Sequence, residues 1–122
     1  MKDPELDILI KELETQTDLT VADFDGVAHG MAYLLPDAVD TDIRLAERIG
    51  TTDEAMRIAD DAFPDWSINF QGPTNDKDGH WTCTLRENDP QGEAPMTTGR
   101  SPILAQAVLA ATMRLAMTLK KG

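Results

Sequence analysis

Cysteine is almost absent from this chain, and the single Cys83 leaves no internal disulfide to form. Only two histidines are present, His29 and His80, so a zinc site would have to draw on acidic ligands, and these show no recognisable spacing. His80 and Cys83 stand three apart in a strand-like segment, which places them on opposite faces. Aromatics are few: two Trp, three Phe and one Tyr share the filling of a core with six Met. No apolar run is long enough for a membrane span. The most apolar segment, 102–119, is interrupted by Gln106, Thr112 and Arg114. The opening Met1-Lys2-Asp3-Pro4 leads into an amphipathic stretch and not into a signal peptide, so the expectation is a cytoplasmic protein. Nucleophile elbow, phosphate loop and dinucleotide fingerprint are all missing, and no cofactor is expected.

Positive charge is scarce in the first half. Residues 1–65 hold 17 Asp and Glu against 5 Lys and Arg, whereas residues 66–122 hold 5 against 6, giving −11 in total. Such a half repels a phosphate backbone, so direct nucleic-acid binding is not expected there. Acidic residues on solvated helix faces account for this charge in the simplest way. The sharper reading is an acidic surface that attracts a basic partner, with Asp37, Asp40, Asp42, Glu47, Asp53, Glu54, Asp60 and Asp61 as its candidate residues.

What the chain does contain is a clear pattern. In Trp66-Ser67-Ile68-Asn69-Phe70 and in Trp81-Thr82-Cys83-Thr84-Leu85, large apolar and small polar side chains alternate strictly. This is the period of a half-buried antiparallel pair, with Trp66, Ile68 and Phe70 on one face and Trp81, Cys83 and Leu85 on its counterpart. The two tryptophans therefore point into a core and not toward stacked bases. Asp78-Gly79 supplies turn chemistry between the strands, and 94–98 reads as a short edge strand in which Pro95 is tolerable. The cover for this hairpin is the helix that Ser101-Pro102 opens and that runs to Leu119. That helix is apolar nearly all round, so it is either sandwiched within the chain or shared with a second subunit, which permits a homodimer through 102–119.

Upstream, Asp3 reads as an N-cap with Pro4 at the first helical position, and Leu6, Leu9, Ile10 and Leu13 form a stripe that ends near Thr15. A second helix spans 21–35 with Phe24, Val27, Ala28, Met31 and Leu35 as its face. Gly26 and Gly30 weaken it but let another helix come close. Pro36-Asp37 breaks the chain. A short helix follows over 40–49, carrying Ile43, Leu45, Ala46 and Ile49, and Gly50 stops it. Thr51 and Glu54 have capping-box spacing and open a helix to Ala62, with Ile58, Ala59, Ala62 and Phe63 inward and Asp60 and Asp61 outward.

The features from Thr51 onward are Thr51-Thr52-Asp53-Glu54-Ala55-Met56 opening a helix, Pro64-Asp65-Trp66 entering a strand, Trp81 starting the next, and Gly99-Arg100-Ser101-Pro102-Ile103-Leu104-Ala105 leading into an Ala-rich helix. With these the chain resembles the small phage and prophage proteins of the phage ABA sandwich domain, over a little more than half its length. The resemblance implies an α-β-β-α layered fold and a phage or prophage origin. It implies no activity and no catalytic residue.

Two motifs hint at chemistry. Asp23-Phe24-Asp25-Gly26-Val27 is similar to the first motif of haloacid-dehalogenase-type phosphatases, but that motif belongs at the end of a buried parallel strand, and 17–22 is a poor strand. Thr74, Asp76 and Asp78 stand at the first positions of a calcium loop, yet its closing acid position falls on Leu85, which favours a plain hairpin turn. The sequence thus predicts one α+β domain over 1–122: an acidic helical region, 1–50, followed by an α-β-β-α unit with a small antiparallel sheet, 51–122. The expected role is a non-enzymatic interaction protein of phage type acting on a host protein with a basic surface, such as an inhibitor of host defence. The alternatives are a dimeric structural or assembly component and, last, a small carboxylate-site enzyme.

Overall fold

The structure is a computed structural model that describes residues 2–39, 44–72, 79–87 and 96–121. In chain order it contains α1 (Asp3–Thr15), α2 (Val21–Leu34), α3 (Leu45–Arg48), α4 (Thr52–Ala62), β1 (Trp66–Gln71), β2 (Trp81–Glu87), β3 (Met96–Ser101) and α5 (Leu104–Lys121). This is the expected α+β arrangement, with a three-stranded sheet packed against the last helix.

The helix starts are set by local hydrogen bonds. Lys2, not Asp3, is the N-cap of α1: the Lys2 N–H donates to Glu5 Oε2 at 3.3 Å, and Asp3 falls in the first turn. At α2 a full capping box closes, with Asp23 N–H donating to Thr20 Oγ1 (3.2 Å) and Thr20 N–H donating to Asp23 Oδ2 (3.0 Å). The helix stops at Leu34 because Leu35 precedes Pro36, whose ring excludes helical backbone at the residue before it. Of its expected face, Val27, Ala28 and Met31 are buried, while Phe24 and Leu35 are half-buried. A Cβ on Gly30 would stand 2.9 Å from Leu9 Cδ1, so the end of that side chain would have to shift where α1 meets α2. Within the expected 40–49, the described helix is Leu45–Arg48, with Leu45, Ala46 and Ile49 buried; residues 40–43, including Ile43, lie outside the described residues. Thr51 Oγ1 accepts the Glu54 N–H at 3.3 Å and starts α4.

The sheet is antiparallel in the order β1-β2-β3. Ile68 stands opposite Leu85 and Phe70 opposite Cys83, while Leu85 and Cys83 stand opposite Thr97 and Gly99. The last strand lies later than expected. Gly99, Arg100 and Ser101 are strand and not the lead into the final helix, which begins at Leu104. Ser101 is the reason: its backbone pairs with Trp81, and its hydroxyl accepts the Ile103 N–H at 3.2 Å. Ala94 and Pro95 lie outside the described residues.

Helix α5 is the centre of the molecule. Every residue from Ala105 to Met113 is buried, as are Leu115, Ala116 and Met117. Strands β3 and β2 cover one side, and α1, α4 and α2 cover the rest, so the helix is sandwiched within a single chain. Both halves of the sequence contribute to one continuous core. At the crossing of α5 over β3 there is no room for a side chain. A Cβ on Gly99 would lie 2.2 Å from the Ala107 carbonyl oxygen and 2.5 Å from the Ala111 nitrogen. The buried Gln106 amide donates to the carbonyls of Leu13 (2.9 Å) and Gln16 (2.7 Å), so the end of α1 is satisfied by a side chain of α5.

The same two helices close one edge of the sheet. Glu14 on α1 and Arg114 on α5 form an ion pair of 2.7 Å. Glu14 Oε2 accepts the Arg100 N–H at 3.0 Å, and Arg114 donates to the Thr98 carbonyl. These are adjacent outward-pointing groups of β3, the positions that another strand would use.

Candidate functional site

Six of the eight candidate acidic residues are described; Asp40 and Asp42 lie outside the described residues. Asp37 is exposed in the turn after α2, and Glu47 is exposed on α3. Asp53 and Glu54 occupy the first turn of α4, where carboxylates suit the positive end of the helix dipole. Asp60 and Asp61 are exposed near its end.

These residues do not form one uniform acidic patch. Arg57 stands between Glu54 and Asp61: Nη2 donates to Glu54 Oε1 at 2.6 Å and Nη1 to Asp61 Oδ2 at 2.8 Å. The hydrogen bond to Glu54, opposed by partial desolvation, raises the guanidinium above its ordinary pKa. Spacings of three and four residues on one helix already encode this triad, so it was legible in the sequence. Asp37 and Asp61 do meet, across a concavity of about 330 Å³ whose walls also include Val39, Arg48 and Arg57. Asp37, Glu47, Asp53 and Asp60 carry no ion pair among the described residues. Of the six described candidates, two are thus tied to Arg57 and four are exposed without an ion pair among the described residues.

The other motifs resolve into structural roles. Asp23 closes the capping box of α2, and Asp25 sits one turn before His29, whose Nδ1 lies 2.7 Å from the Asp25 carbonyl oxygen. The phosphatase-like motif is thus the first turn of a helix and not a strand end. Thr74, Asp76 and Asp78 lie outside the described residues; Gly79 beside them has φ +74°, the left-handed backbone a tight turn requires. Cys83 is fully buried against the helix layer, and burial pushes its thiol up to about 12, which keeps it a core side chain. Among the described residues no cluster of His, Cys, Asp and Glu large enough to hold a metal ion is found, and no helix is long and apolar enough to cross a membrane.

One feature escaped sequence reasoning. Trp66, Met96, Thr97, Leu115 and Leu119 line a groove of about 370 Å³ where the end of α5 leaves the sheet, with Arg114 in its wall. Its residues come from three distant segments, so no local pattern announces it. Set against known protein families, curated proteins and solved structures, the chain matches none.

Proposed function

We propose that the protein is a small, acidic, non-enzymatic interaction protein of phage or prophage type. Its helical surface occupies the basic, nucleic-acid-handling surface of a host protein, as an inhibitor of host defence such as an anti-CRISPR does. The observation that carries the reading is the set of exposed carboxylates that have no partner among the described residues, Asp37, Glu47, Asp53 and Asp60, on the half of the chain with 17 acidic against 5 basic residues. Carboxylates already paired internally add little to a partner's affinity, whereas uncommitted ones steer and hold a basic surface. The concavity between Asp37 and Asp61 gives that surface relief.

The test is affinity capture from a bacterial host lysate with the tagged protein and with the double variant Asp37→Lys, Asp60→Lys, which leaves the Glu54–Arg57–Asp61 triad intact. The expected result is a nucleic-acid-handling protein held at low salt by the parent chain only, released as salt rises. An identical captured set from both chains would overturn the proposal.

A further inference from the structure

The two edges of the sheet are treated differently. The outer edge of β3 is closed by Glu14 and Arg114, which take the Arg100 N–H and the Thr98 carbonyl. Because backbone groups on an antiparallel strand alternate in direction, this fixes the rest of the sheet. Thr97, Gly99 and Ser101 bond to β2, and Thr82, Thr84 and Arg86 bond to β1 through Gln71, Asn69 and Ser67. The outward groups of β1 then belong to Trp66, Ile68 and Phe70. The Trp66 N–H is taken by the Phe63 carbonyl at 3.1 Å. Among the described residues nothing bonds to the outward groups of Ile68 and Phe70.

This open edge is also short of cover. Helix α5 packs chiefly on β3 and β2, and β1 makes its main contacts with β2. Phe70 remains 39% exposed, and Trp66 and Ile68 are half-buried. Sheet edges are ordinarily guarded by charge, proline or a bulge, yet β1 (Trp66-Ser67-Ile68-Asn69-Phe70-Gln71) contains no charged residue, proline or glycine. Among the described strands it alone lacks an ionisable side chain, in a chain of net charge −11. The strand therefore adds no charge of its own to the repulsion between two copies of this acidic chain.

We propose that β1 is the docking edge for a second copy of the chain, pairing antiparallel about a two-fold axis at Ile68. The strand is self-complementary in that register. Ile68 faces Ile68 of the partner subunit, and Trp66 and Phe70 face each other's positions, giving two cross-strand aromatic pairs that cover the exposed Phe70 ring. Directly opposed residues share a face, so both helix layers lie on one side of a continuous six-stranded sheet. An edge of this length buries less than the roughly 1,200 Å² of a stable interface, so association belongs in the micromolar range. Salt screens the mutual repulsion of the two acidic bodies and strengthens the dimer, the opposite of its effect on a basic partner.

The experiment is light scattering of the full chain over about 10–300 μM at two salt concentrations, a range set by that expected affinity. The mass is expected to rise toward twice the 13.4 kDa of one chain, and to rise earlier at higher salt. Phe70→Lys, at an exposed position, is expected to stay monomeric with an unchanged melting curve, while Leu119→Lys at the apolar groove dimerises like the parent. Ile68→Cys is expected to give a covalent dimer on mild oxidation, since opposed Cα atoms about 5.5 Å apart suit a disulfide; buried Cys83 gives none in the parent. A chain that stays monomeric throughout, a Phe70→Lys variant that dimerises like the parent, or dimerisation lost only in Leu119→Lys would each overturn the proposal.

Discussion

Gly99→Ala is the substitution to which this fold is most sensitive. Its Cβ would stand 2.2 Å from the Ala107 oxygen and 2.5 Å from the Ala111 nitrogen, where ordinary contact is 3.4–4 Å. Both obstacles are backbone atoms of α5, so no side-chain rotation relieves them, and β3 and α5 must separate by roughly an ångström. That helix touches every layer, so the gap propagates into the packing of α1 and α4. Overpacking costs about 1–3 kcal/mol when side chains can yield, and a backbone obstacle places this variant at about 3 kcal/mol or above. For a domain of this size that lowers the melting temperature by roughly 10–15 °C. Thermal unfolding followed by circular dichroism reads it directly. Gly26→Ala is the matched control: its Cβ would meet only Leu9 Cδ2, at an ordinary 3.6 Å, and a helical alanine gains about 0.5–1 kcal/mol over glycine. A Gly99→Ala loss under about 3 °C, or equal shifts in the two variants, would refute the close crossing of α5 over β3.

Gln106→Leu leaves the Leu13 and Gln16 carbonyls without their donor and is expected to cost about 1–3 kcal/mol in denaturant unfolding, with hydrogen exchange rising at the end of α1. Glu14→Ala removes both the partner of Arg114 and the acceptor of the Arg100 N–H; a loss of about 1–2 kcal/mol is expected, together with a new tendency to associate through β3 that light scattering detects. Thr51→Ala removes the cap of α4 and is expected to cost about 1 kcal/mol in the same unfolding assay. Cys83 is expected to resist alkylation at neutral pH until the chain unfolds. Its folded pKa lies above the unfolded one, so its contribution to stability is whole below the ordinary thiol range, whose reference value is 9.0, and is lost as pH rises toward about 12; pH-dependent unfolding checks this.

Periodicity made much of the fold legible. The stripe of α1, the alternation in β1 and β2 and the all-round apolar character of α5 each carry their element in local sequence. The extent of β3 was hidden because its inward positions are Thr97, Gly99 and Ser101, small residues chosen by the nearness of α5. Without large apolar side chains its second half, Gly99 to Ser101, reads as the lead into the final helix. The Glu14–Arg114 closure joins residues 100 apart, and nothing local in either segment signals it. At the acidic surface, charge counting found the carboxylates but did not weigh Arg57 against them. The helical spacing of Glu54, Arg57 and Asp61 held that correction, and Arg48 reaches the same concavity only through the fold.

The claim at the centre of the functional account is that a carboxylate surface stands in for nucleic acid on a host protein. Competition tests it most directly. The captured partner, held on the immobilised protein at low salt, is challenged with short duplex DNA and with RNA of matched length. The account predicts that nucleic acid releases the partner in proportion to its concentration. A stable ternary complex of protein, partner and nucleic acid would contradict it.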